Sequence, residues 1–440
     1  MTTTDPQRSL MELPTPPGPR IPAVLQVLLY PYRHRLIPLL RRRYGDVVAI
    51  SLLGRPAVQL CTPELNRAVF AGSATVFHAG EGNRVLARVL GEHSVLTTDE
   101  QDHRRLRALL MPPFHGTAMR GYRDLMEGLA DAEAAAWPTG SSIAAHRRMN
   151  AITLEIIVQV VFGVAHGPRL DALRGAVTQL VTAPTYIFLG EVITPMRRFG
   201  PWKRFERLLD RIDELVYAEI AERRTAPDLA ERTDVLSRLL AVETGDDRLS
   251  DAELRDQMMT LLLAGHETTA TTLAWTLHDL AHGPGLQARV VEAVDAGDDR
   301  YLDAVVKESM RLHPVLYAVA RTVTEDVELG GHRIPAGHTV LPGIGPVHAD
   351  PTQHPDPDVF RPERFLDGSA TPANWLPFGG GIRRCIGAGF ALLEATTILR
   401  AVLSRYTLTA GRPSPERTRA RHITLAPSHG ARIVAHRRVM

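Results

Sequence analysis

The sequence predicts a mainly α-helical protein with small β-sheets, an α+β fold. Helical periodicity covers most of the chain after about residue 62, whereas β-branched runs with turn residues are confined to short segments. A chain of 440 residues, 44% of them hydrophobic, can bury a large core. No repeat, low-complexity linker or shift in composition divides it, so we expect a single domain over residues 1–440.

The first clear elements are a hairpin and a long helix. Two β-branched runs between Gly45 and Cys61 are joined by the turn residues LGRP and predict a β-hairpin. Ser250 followed by Glu253 is a capping-box pattern, and it opens an apolar helix that should extend to about His282.

Three later segments complete the predicted elements. A helix should extend from about Tyr301 to Leu312 and stop before Pro314. Alternating valines and turn glycines between residues 322 and 339 predict short strands. A last helix is expected from residue 389 to about 406.

Composition excludes several classes of function. A net charge of +2 indicates neither a nucleic-acid partner nor an acidic substrate. Cys61 and Cys385 lie in unrelated contexts, so no disulfide framework is indicated. No signal peptide opens the chain, and Pro31, Arg33 and Arg35 interrupt the apolar N-terminal segment before it could span a bilayer. We expect a soluble cytoplasmic protein without a membrane span.

A glycine-rich loop, FGGGIRRCIG, surrounds Cys385. A cysteine in this setting suits the axial thiolate of a haem, which favours cleavage of the dioxygen O–O bond. Gly379–Gly381 and Gly387 permit positive φ and close approach to a flat ligand. Backbone N–H groups can point at the sulfur, Phe378 can cover one side, and Arg383 can pair with a haem carboxylate. The alternative for Cys385 is a small buried apolar residue.

The residues of this loop resemble the haem-ligand pattern of the cytochrome P450 family, Phe-x-x-Gly-x-Arg-x-Cys-x-Gly. Phe378, Gly381, Arg383, Cys385 and Gly387 fill every position of it. Matches to the family, in its soluble bacterial members, continue in order from about residue 14 to the C-terminus.

The resemblance implies the P450 fold, with haem b held between a long distal helix and the helix that follows the cysteine loop. It also implies a haem-thiolate monooxygenase that inserts one oxygen atom from dioxygen into an apolar lipid, terpenoid or steroid-like molecule. The sequence contains no flavin or iron–sulfur motif, so electrons should come from an external ferredoxin or flavodoxin and its reductase. Arg104, Arg105 and Arg384 are candidate contacts for an acidic ferredoxin.

The segment AGHETT lies inside the predicted long helix. By resemblance, the Thr268 hydroxyl holds bound dioxygen and Glu267 helps to deliver protons, while Ala264 and Gly265 leave room for oxygen and substrate. The alternative is ordinary helix packing, in which Thr268 bonds back to a carbonyl one turn earlier.

The resemblance assigns the remaining site residues in three groups. A buried structural triad consists of Glu308, Arg311 and Arg364. Further cofactor-binding residues, with cationic partners for the haem carboxylates among them, are His103, Arg107, Arg321, Phe378, Gly379 and Arg383. Apolar substrate contacts are expected at Val95, Leu96, Tyr186, Phe188, Leu263, Val315, Leu316, Val319, Ile423 and Thr424, although each of these could instead be a core residue.

Two other functions are compatible with a haem site. One is a peroxide-driven enzyme or isomerase of the same family, and the other is a haem protein that binds a ligand without turnover. The presence of both Glu267 and Thr268 favours the monooxygenase, because neither alternative needs a proton-delivery pair.

Overall fold

The computed structural model describes residues 10–52, 54–163, 167–183, 194–242 and 248–438. Helices dominate these ranges and the sheets are small, which confirms the predicted fold class. Tyr186 and Phe188 lie outside the described residues. The helices are α1 (Ala23–Leu29), α2 (Arg33–Tyr44), α3 (Pro63–Ala71), α4 (Ala79–Gly82), α5 (Ala87–Leu90), α6 (Glu100–Leu110), α7 (Gly116–Ala135), α8 (Ala145–Phe162), α9 (Pro168–Val181), α10 (Gly200–Arg224), α11 (Val235–Leu240), α12 (Asp251–His282), α13 (Pro284–Ala296), α14 (Asp299–Leu312), α15 (Ile344–His348) and α16 (Ala388–Leu403).

The strands form a five-stranded sheet, a three-stranded sheet and two hairpins within the described residues. In the largest sheet the order is β1-β2-β8-β5-β3, and the β1–β2 hairpin is the one predicted from the sequence. The order β4-β12-β9 forms the second sheet, while β6–β7 and β10–β11 pair by themselves. The strands are β1 (Val47–Leu52), β2 (Arg55–Leu60), β3 (Phe77–His78), β4 (Ser142–Ala144), β5 (Arg321–Val323), β6 (Val327–Leu329), β7 (His332–Ile334), β8 (Thr339–Pro342), β9 (Tyr406–Ala410), β10 (Thr418–Arg421), β11 (Thr424–Pro427) and β12 (Arg432–Arg437).

The long helix α12 lies at the centre of the main core. Its capping box forms as predicted, because the Ser250 hydroxyl accepts from the Glu253 N–H and the Glu253 carboxylate accepts from the Ser250 N–H. The helix packs most extensively against α8, and also against α10, α14 and α16. Apolar side chains from α7, α8, α12 and α16 join in one buried cluster. This cluster gives the functional segments of α12 a rigid support.

Two helix bounds differ from the sequence prediction. Helix α14 begins at Asp299 because the Asp298 side chain caps it by accepting from the Tyr301 N–H. Helix α16 ends at Leu403, and Tyr406 instead begins β9, which pairs with β12. The helix therefore ends before the helical periodicity of the sequence does, because the next residues pair with a strand distant in sequence.

No helix in the described parts of the chain combines the length and the apolar character needed to cross a membrane.

Candidate functional site

The Cys385 loop lies directly before α16 and has defined backbone bonds. The Cys385 N–H donates to the Phe378 carbonyl at 3.0 Å, and the Arg384 N–H donates to the Gly381 carbonyl at 3.1 Å. The N–H of Gly387 donates to the Cys385 sulfur, as the sequence analysis expected of a backbone N–H in this loop. The loop thus holds the sulfur in a fixed position at the start of the helix.

The glycines of the loop have two different roles. Gly379 and Gly381 have φ values of +64° and +65°, in the region that favours glycine. Gly380 and Gly387 have negative φ, so the prediction of positive φ is wrong for these two. A Cβ on Gly380 would lie 2.5 Å from the Phe70 ring, and one on Gly381 would lie 2.0 Å from the Phe70 carbonyl. Glycine here therefore permits close packing of the loop against α3.

The two cysteines have different surroundings. Cys385 is exposed, yet protein surrounds its sulfur closely enough that burial raises the pKa of the thiol, against the opposing effects of the Gly387 N–H, Arg384 and Arg107. Cys61 is fully buried in a small apolar cluster, and burial raises the pKa of its thiol to about 12. Only Cys385 is placed to bind a metal.

Three arginines, Arg107, Arg321 and Arg383, and the imidazole of His103 lie close enough to influence one another electrostatically. Burial and the neighbouring Arg383 lower the pKa of Arg321 to about 10, and burial together with Arg107 lowers that of Arg383 to about 10. Burial and the charges of Arg383 and Arg107 lower the pKa of His103 to about 3. The Nδ1 of His103 is buried without a hydrogen-bond partner. The arginines of this cluster, Arg107 among them, carry more positive charge than the one carboxylate near them can neutralise.

That carboxylate belongs to Asp99, which the sequence analysis did not identify. Arg383 Nη2 donates to Asp99 Oδ1 at 2.5 Å. Asp99 also accepts from the N–H groups of Gly80 and Glu81 at 2.8 and 2.9 Å. Asp99 directly precedes α6, a position typical of a helix cap. The sequence therefore suggested a local role for Asp99 and gave no signal for its contact with Arg383.

Helix α12 is mostly buried, but one short stretch of it is accessible to solvent. Ala264 is exposed and Thr268 is half-buried. The Thr268 hydroxyl donates to the Ala264 carbonyl at 2.8 Å, the back-bond that the sequence analysis named as its alternative. A Cβ on Gly265 would lie 2.8 Å from Ile157 Cδ1. Gly265 therefore allows close packing of α12 on α8, which differs from its predicted role of leaving room for oxygen and substrate.

Glu267 is directed toward the β10–β11 hairpin. Burial raises the pKa of its carboxyl group, while Arg421 and the Thr424 hydroxyl act in the opposite direction. Arg421 Nε lies 3.7 Å from Glu267 Oε1, and Arg421 Nη2 donates to the Val181 carbonyl at 2.8 Å. Arg421 thus links the acid to the end of α9. The sequence offers no signal for this pair, because the two residues lie far apart on different elements.

A second buried acid connects the two helices of the site. Glu394 on α16 is fully buried, and burial raises the pKa of its carboxyl group far above the usual range. The Thr269 hydroxyl on α12 is the polar side chain that interacts with it. Burial therefore favours the protonated form of Glu394, beside Thr269 on α12.

The structure brings Glu308, Arg311 and Arg364 together in a buried cluster. Arg311 binds Glu308 bidentately, with Nε and Nη2 at 2.7 and 2.9 Å from the two carboxylate oxygens. Arg364 Nε lies 3.3 Å from Glu308 Oε1. The Arg361 N–H donates to the same oxygen at 2.8 Å.

The predicted substrate contacts fall into several groups. The carbonyl of Val95, next to Leu96, accepts from Arg383 at 3.1 Å. Leu316 forms a β-bridge to Thr424, and the Val315 carbonyl accepts from the Leu425 N–H. Each of these contacts lies beside the cationic cluster or the hairpin that holds Glu267. The other described members of the set are the exposed Ile423, the half-buried Leu263 on α12, and Val319, which packs against the α15 apolar cluster.

The predicted docking arginines separate into two kinds. Arg104 and Arg384 are exposed, and Ile382 beside Arg384 is 50% exposed. Arg105 Nη1 instead donates to Glu253 Oε1 at 2.6 Å, so Arg105 holds α6 against the start of α12 and is not suited to docking.

The donor set fits a haem. A sulfur that receives a backbone N–H and lies near Arg384 and Arg107 suits a thiolate ligand, since a bound metal cation deprotonates a coordinating thiol. The surplus of buried positive charge and the unpartnered Nδ1 of His103 suit a dianionic partner such as the two haem carboxylates.

The fold and the site together define a helical protein in which a cationic cluster could hold the two carboxylates of a haem and Cys385 could supply a thiolate. The cytochrome P450 family profile matches residues 15–431. The chain belongs to this family, which makes it a haem-dependent monooxygenase, an oxidoreductase that uses dioxygen.

Similar proteins agree with the family. A Mycobacterium tuberculosis protein named cytochrome P450 135A1 is 48% identical over 432 residues, 96% of each chain. Cytochrome P450 135B1 of Mycobacterium bovis is 43% identical over 428 residues, 95% of this chain and 90% of the relative. Neither name states a substrate.

Solved structures show the same fold. The retinoic acid-bound cyanobacterial CYP120A1 superposes with a TM-score of 0.86 at 24% identity, covering 97% of this chain and all of that one. The haem domain of cytochrome P450DA superposes with a TM-score of 0.80 at 25% identity, covering 97% of this chain and 98% of that one.

Proposed function

We propose that the whole chain acts as one haem b-dependent domain that hydroxylates an apolar small molecule of the lipid, terpenoid or steroid class. The observation that carries this proposal is Cys385, whose sulfur accepts from the Gly387 N–H beside a surplus of buried positive charge. Bound haem would supply dioxygen activation and oxidation of a substrate C–H bond.

The surrounding residues would hold this group and supply protons. Cys385 would ligate the iron, Arg107, Arg321 and Arg383 would neutralise the carboxylates, and the neutral imidazole of His103 would donate a hydrogen bond to one of them. Charge neutralisation would relieve the repulsion that lowers the pKa values of Arg321 and Arg383.

Thr268 and Glu267 would control proton delivery on the opposite face. The Thr268 hydroxyl donates its own proton to the Ala264 carbonyl, so its oxygen lone pairs remain available to accept a hydrogen bond from water or a ligand. Glu267 has a raised pKa, which brings the acid closer to neutral pH and suits it to exchange protons. Rotation of its side chain away from Arg421 would bring the proton toward Thr268.

Electrons would arrive from a separate ferredoxin or flavodoxin with its reductase. The exposed Arg104 and the exposed Ile382 and Arg384 of the cysteine loop support docking of an acidic partner. Arg104→Glu with Arg384→Glu should slow the first electron transfer at low salt. An unchanged rate of reduction would contradict this docking surface.

The ligand assignment is tested by the spectrum of the ferrous–carbonyl complex. The purified protein should show the long-wavelength absorption of thiolate ligation, and Cys385→Ser should lose it. Cys61→Ser is the matched control, because that thiol is buried in an apolar cluster, and it should keep the spectrum. A nitrogen-ligated spectrum in the unmodified protein would overturn the assignment.

The role of Thr268 is tested by the fate of reducing equivalents. Thr268→Ala should still bind haem and substrate but divert electrons to hydrogen peroxide. Thr276→Ala is the control, because Thr276 makes the same back-bond to a carbonyl one turn earlier, at 2.9 Å, from a fully buried position. Fully coupled product formation in Thr268→Ala would contradict the role.

The substrate class is tested by a binding screen. Lipids, terpenes and steroids are titrated into the ferric protein, and a low-to-high-spin change in the haem spectrum reports displacement of the iron-bound water. Turnover with peroxide but none with redox partners would favour the peroxide-driven alternative, and tight binding without product would favour a ligand-binding protein.

A further inference from the structure

Half of the exposed large apolar side chains lie near the N-terminal end of the described chain. Among the described residues, ten such side chains are exposed, and five of them precede residue 40. Four lie on α1, α2 and the short 3-10 turn between them: Leu25 (44% exposed), Leu28 (65%), Tyr32 (53%) and Leu39 (58%). Singly exposed apolar residues are ordinary, but a concentration of them on one segment indicates an interaction surface.

The same segment is strongly basic. Residues 13–45 contain six arginines and no aspartate or glutamate. Two of the arginines serve the fold, because Arg33 donates to the Ile423 carbonyl at 2.7 Å and Arg41 pairs with Asp46 and Asp350. The other four are exposed, and no described carboxylate lies within ion-pair distance of them: Arg20, Arg35, Arg42 and Arg43.

The exposed apolar and basic side chains have helical spacing within each helix of the segment. Leu25 and Leu28 are three residues apart on α1, Arg35 and Leu39 are four apart on α2, and Tyr32 ends the 3-10 turn between the two helices. Arg42 continues this spacing and is exposed. The exposed face is therefore an alternation of apolar and cationic side chains.

The opposite face holds the segment on the fold. The Gln26 side chain accepts from the Ser51 N–H at 2.6 Å, which fastens α1 to β1. Ile37 is 3% exposed and packs with Tyr317 and Leu425. The segment is thus anchored from inside and presents its outer face in a defined orientation.

We propose that this outer face binds an anionic lipid surface peripherally. Leucine and tyrosine side chains can enter the boundary between headgroups and acyl chains, while arginines on the same face meet the lipid phosphates. A protein partner is less well matched, because the centres of protein interfaces are depleted of charge, and here arginines are interspersed among the apolar residues. We call this surface, formed by Leu25, Leu28, Tyr32 and Leu39 with Arg35, Arg42 and Arg43, the N-terminal lipid face.

Vesicle co-sedimentation of the haem-loaded protein tests this proposal. The protein should bind phosphatidylglycerol vesicles, bind phosphatidylcholine vesicles much more weakly, and release from the former as salt is raised. Leu28→Asp with Tyr32→Asp should weaken binding at least tenfold. Arg42→Gln with Arg43→Gln should weaken it by roughly fivefold for each arginine at low salt, with little difference at high salt.

Two variants outside the face serve as controls. Val359→Asp changes a side chain that is 54% exposed, and Arg419→Gln changes an exposed arginine on β10, so both should bind vesicles like the unmodified protein. Unchanged haem content in every variant shows that the fold is retained.

Three results would overturn the proposal. The first is failure of the unmodified protein to bind phosphatidylglycerol vesicles. The second is binding that the variants of the N-terminal lipid face leave unchanged. The third is self-association without vesicle binding, removed by Leu28→Asp, which would make the face an interface between two copies of the chain.

Discussion

Replacing Glu308 by leucine should destabilise the protein far more than removing an exposed ion pair on the same helix. Glu308 accepts from Arg311 Nε and Nη2 at 2.7 and 2.9 Å, and from Arg364 Nε at 3.3 Å. The Arg361 N–H is a further donor at 2.8 Å. The three side chains are at most 1% exposed, so water cannot replace the lost carboxylate.

The magnitude follows from the charges left behind. Breaking a buried ion pair by removing one partner costs about 3 to 5 kcal/mol, because the other charge remains buried without compensation. Arg311 keeps the His348 carbonyl and Arg364 keeps the Asp356 carbonyl, which limits the loss to that range. Since domains are stable by about 5 to 15 kcal/mol, Glu308→Leu should remove a large share of the total.

Urea unfolding of the haem-loaded protein, followed by far-ultraviolet circular dichroism, measures the effect. The matched control is Asp303→Asn on α14, because Asp303 pairs with Lys307 and the two side chains are 33% and 26% exposed. We expect a loss below about 1 kcal/mol for that variant. Replacing Glu308, Arg311 and Arg364 together by apolar residues should recover much of the stability. A Glu308→Leu protein as stable as Asp303→Asn would refute the reasoning.

Three further predictions follow from individual contacts. Gly265→Ala should lower the free energy of unfolding by about 1 to 3 kcal/mol, because the new Cβ would lie 2.8 Å from Ile157. A double-mutant cycle with Ile157→Ala should show a coupling energy of at least about 1 kcal/mol. A Gly265→Ala protein more stable than the unmodified one would contradict this. Arg421→Gln removes a charge that opposes the raised pKa of Glu267, so the pH profile of turnover should move to higher pH. Arg419→Gln is its control, and identical profiles would exclude the coupling. Burial raises the pKa of Glu394 above its unfolded value of about 4.3, so the free energy of unfolding of the unmodified protein, relative to that of Glu394→Gln, should decrease as pH rises above that value; parallel curves of unfolding free energy against pH would contradict the raised pKa.

Local patterns in the sequence predicted the framework because the interactions behind them are local. The capping box of Ser250 and Glu253 joins residues three apart, and the hairpin of β1 and β2 joins strands that follow each other directly. The cysteine loop likewise forms its bonds within ten residues, and its pattern was enough to indicate the family. The same local reasoning was wrong at Tyr406, which begins β9 instead of ending α16, because pairing with β12 intervened.

The sequence by itself therefore determined the fold class, the order of the main elements and the residues presented by the cysteine loop and α12. Only the tertiary structure decided which charges meet, because Asp99 and Arg383 lie 284 positions apart and no periodicity links them. The same is true of Glu267 with Arg421 and of Glu394 with Thr269. These pairs depend on how helices and hairpins pack, and burial then sets their protonation. A pattern along the chain specifies hydrogen bonds within an element, whereas desolvation and charge pairing depend on neighbours that only the folded chain supplies.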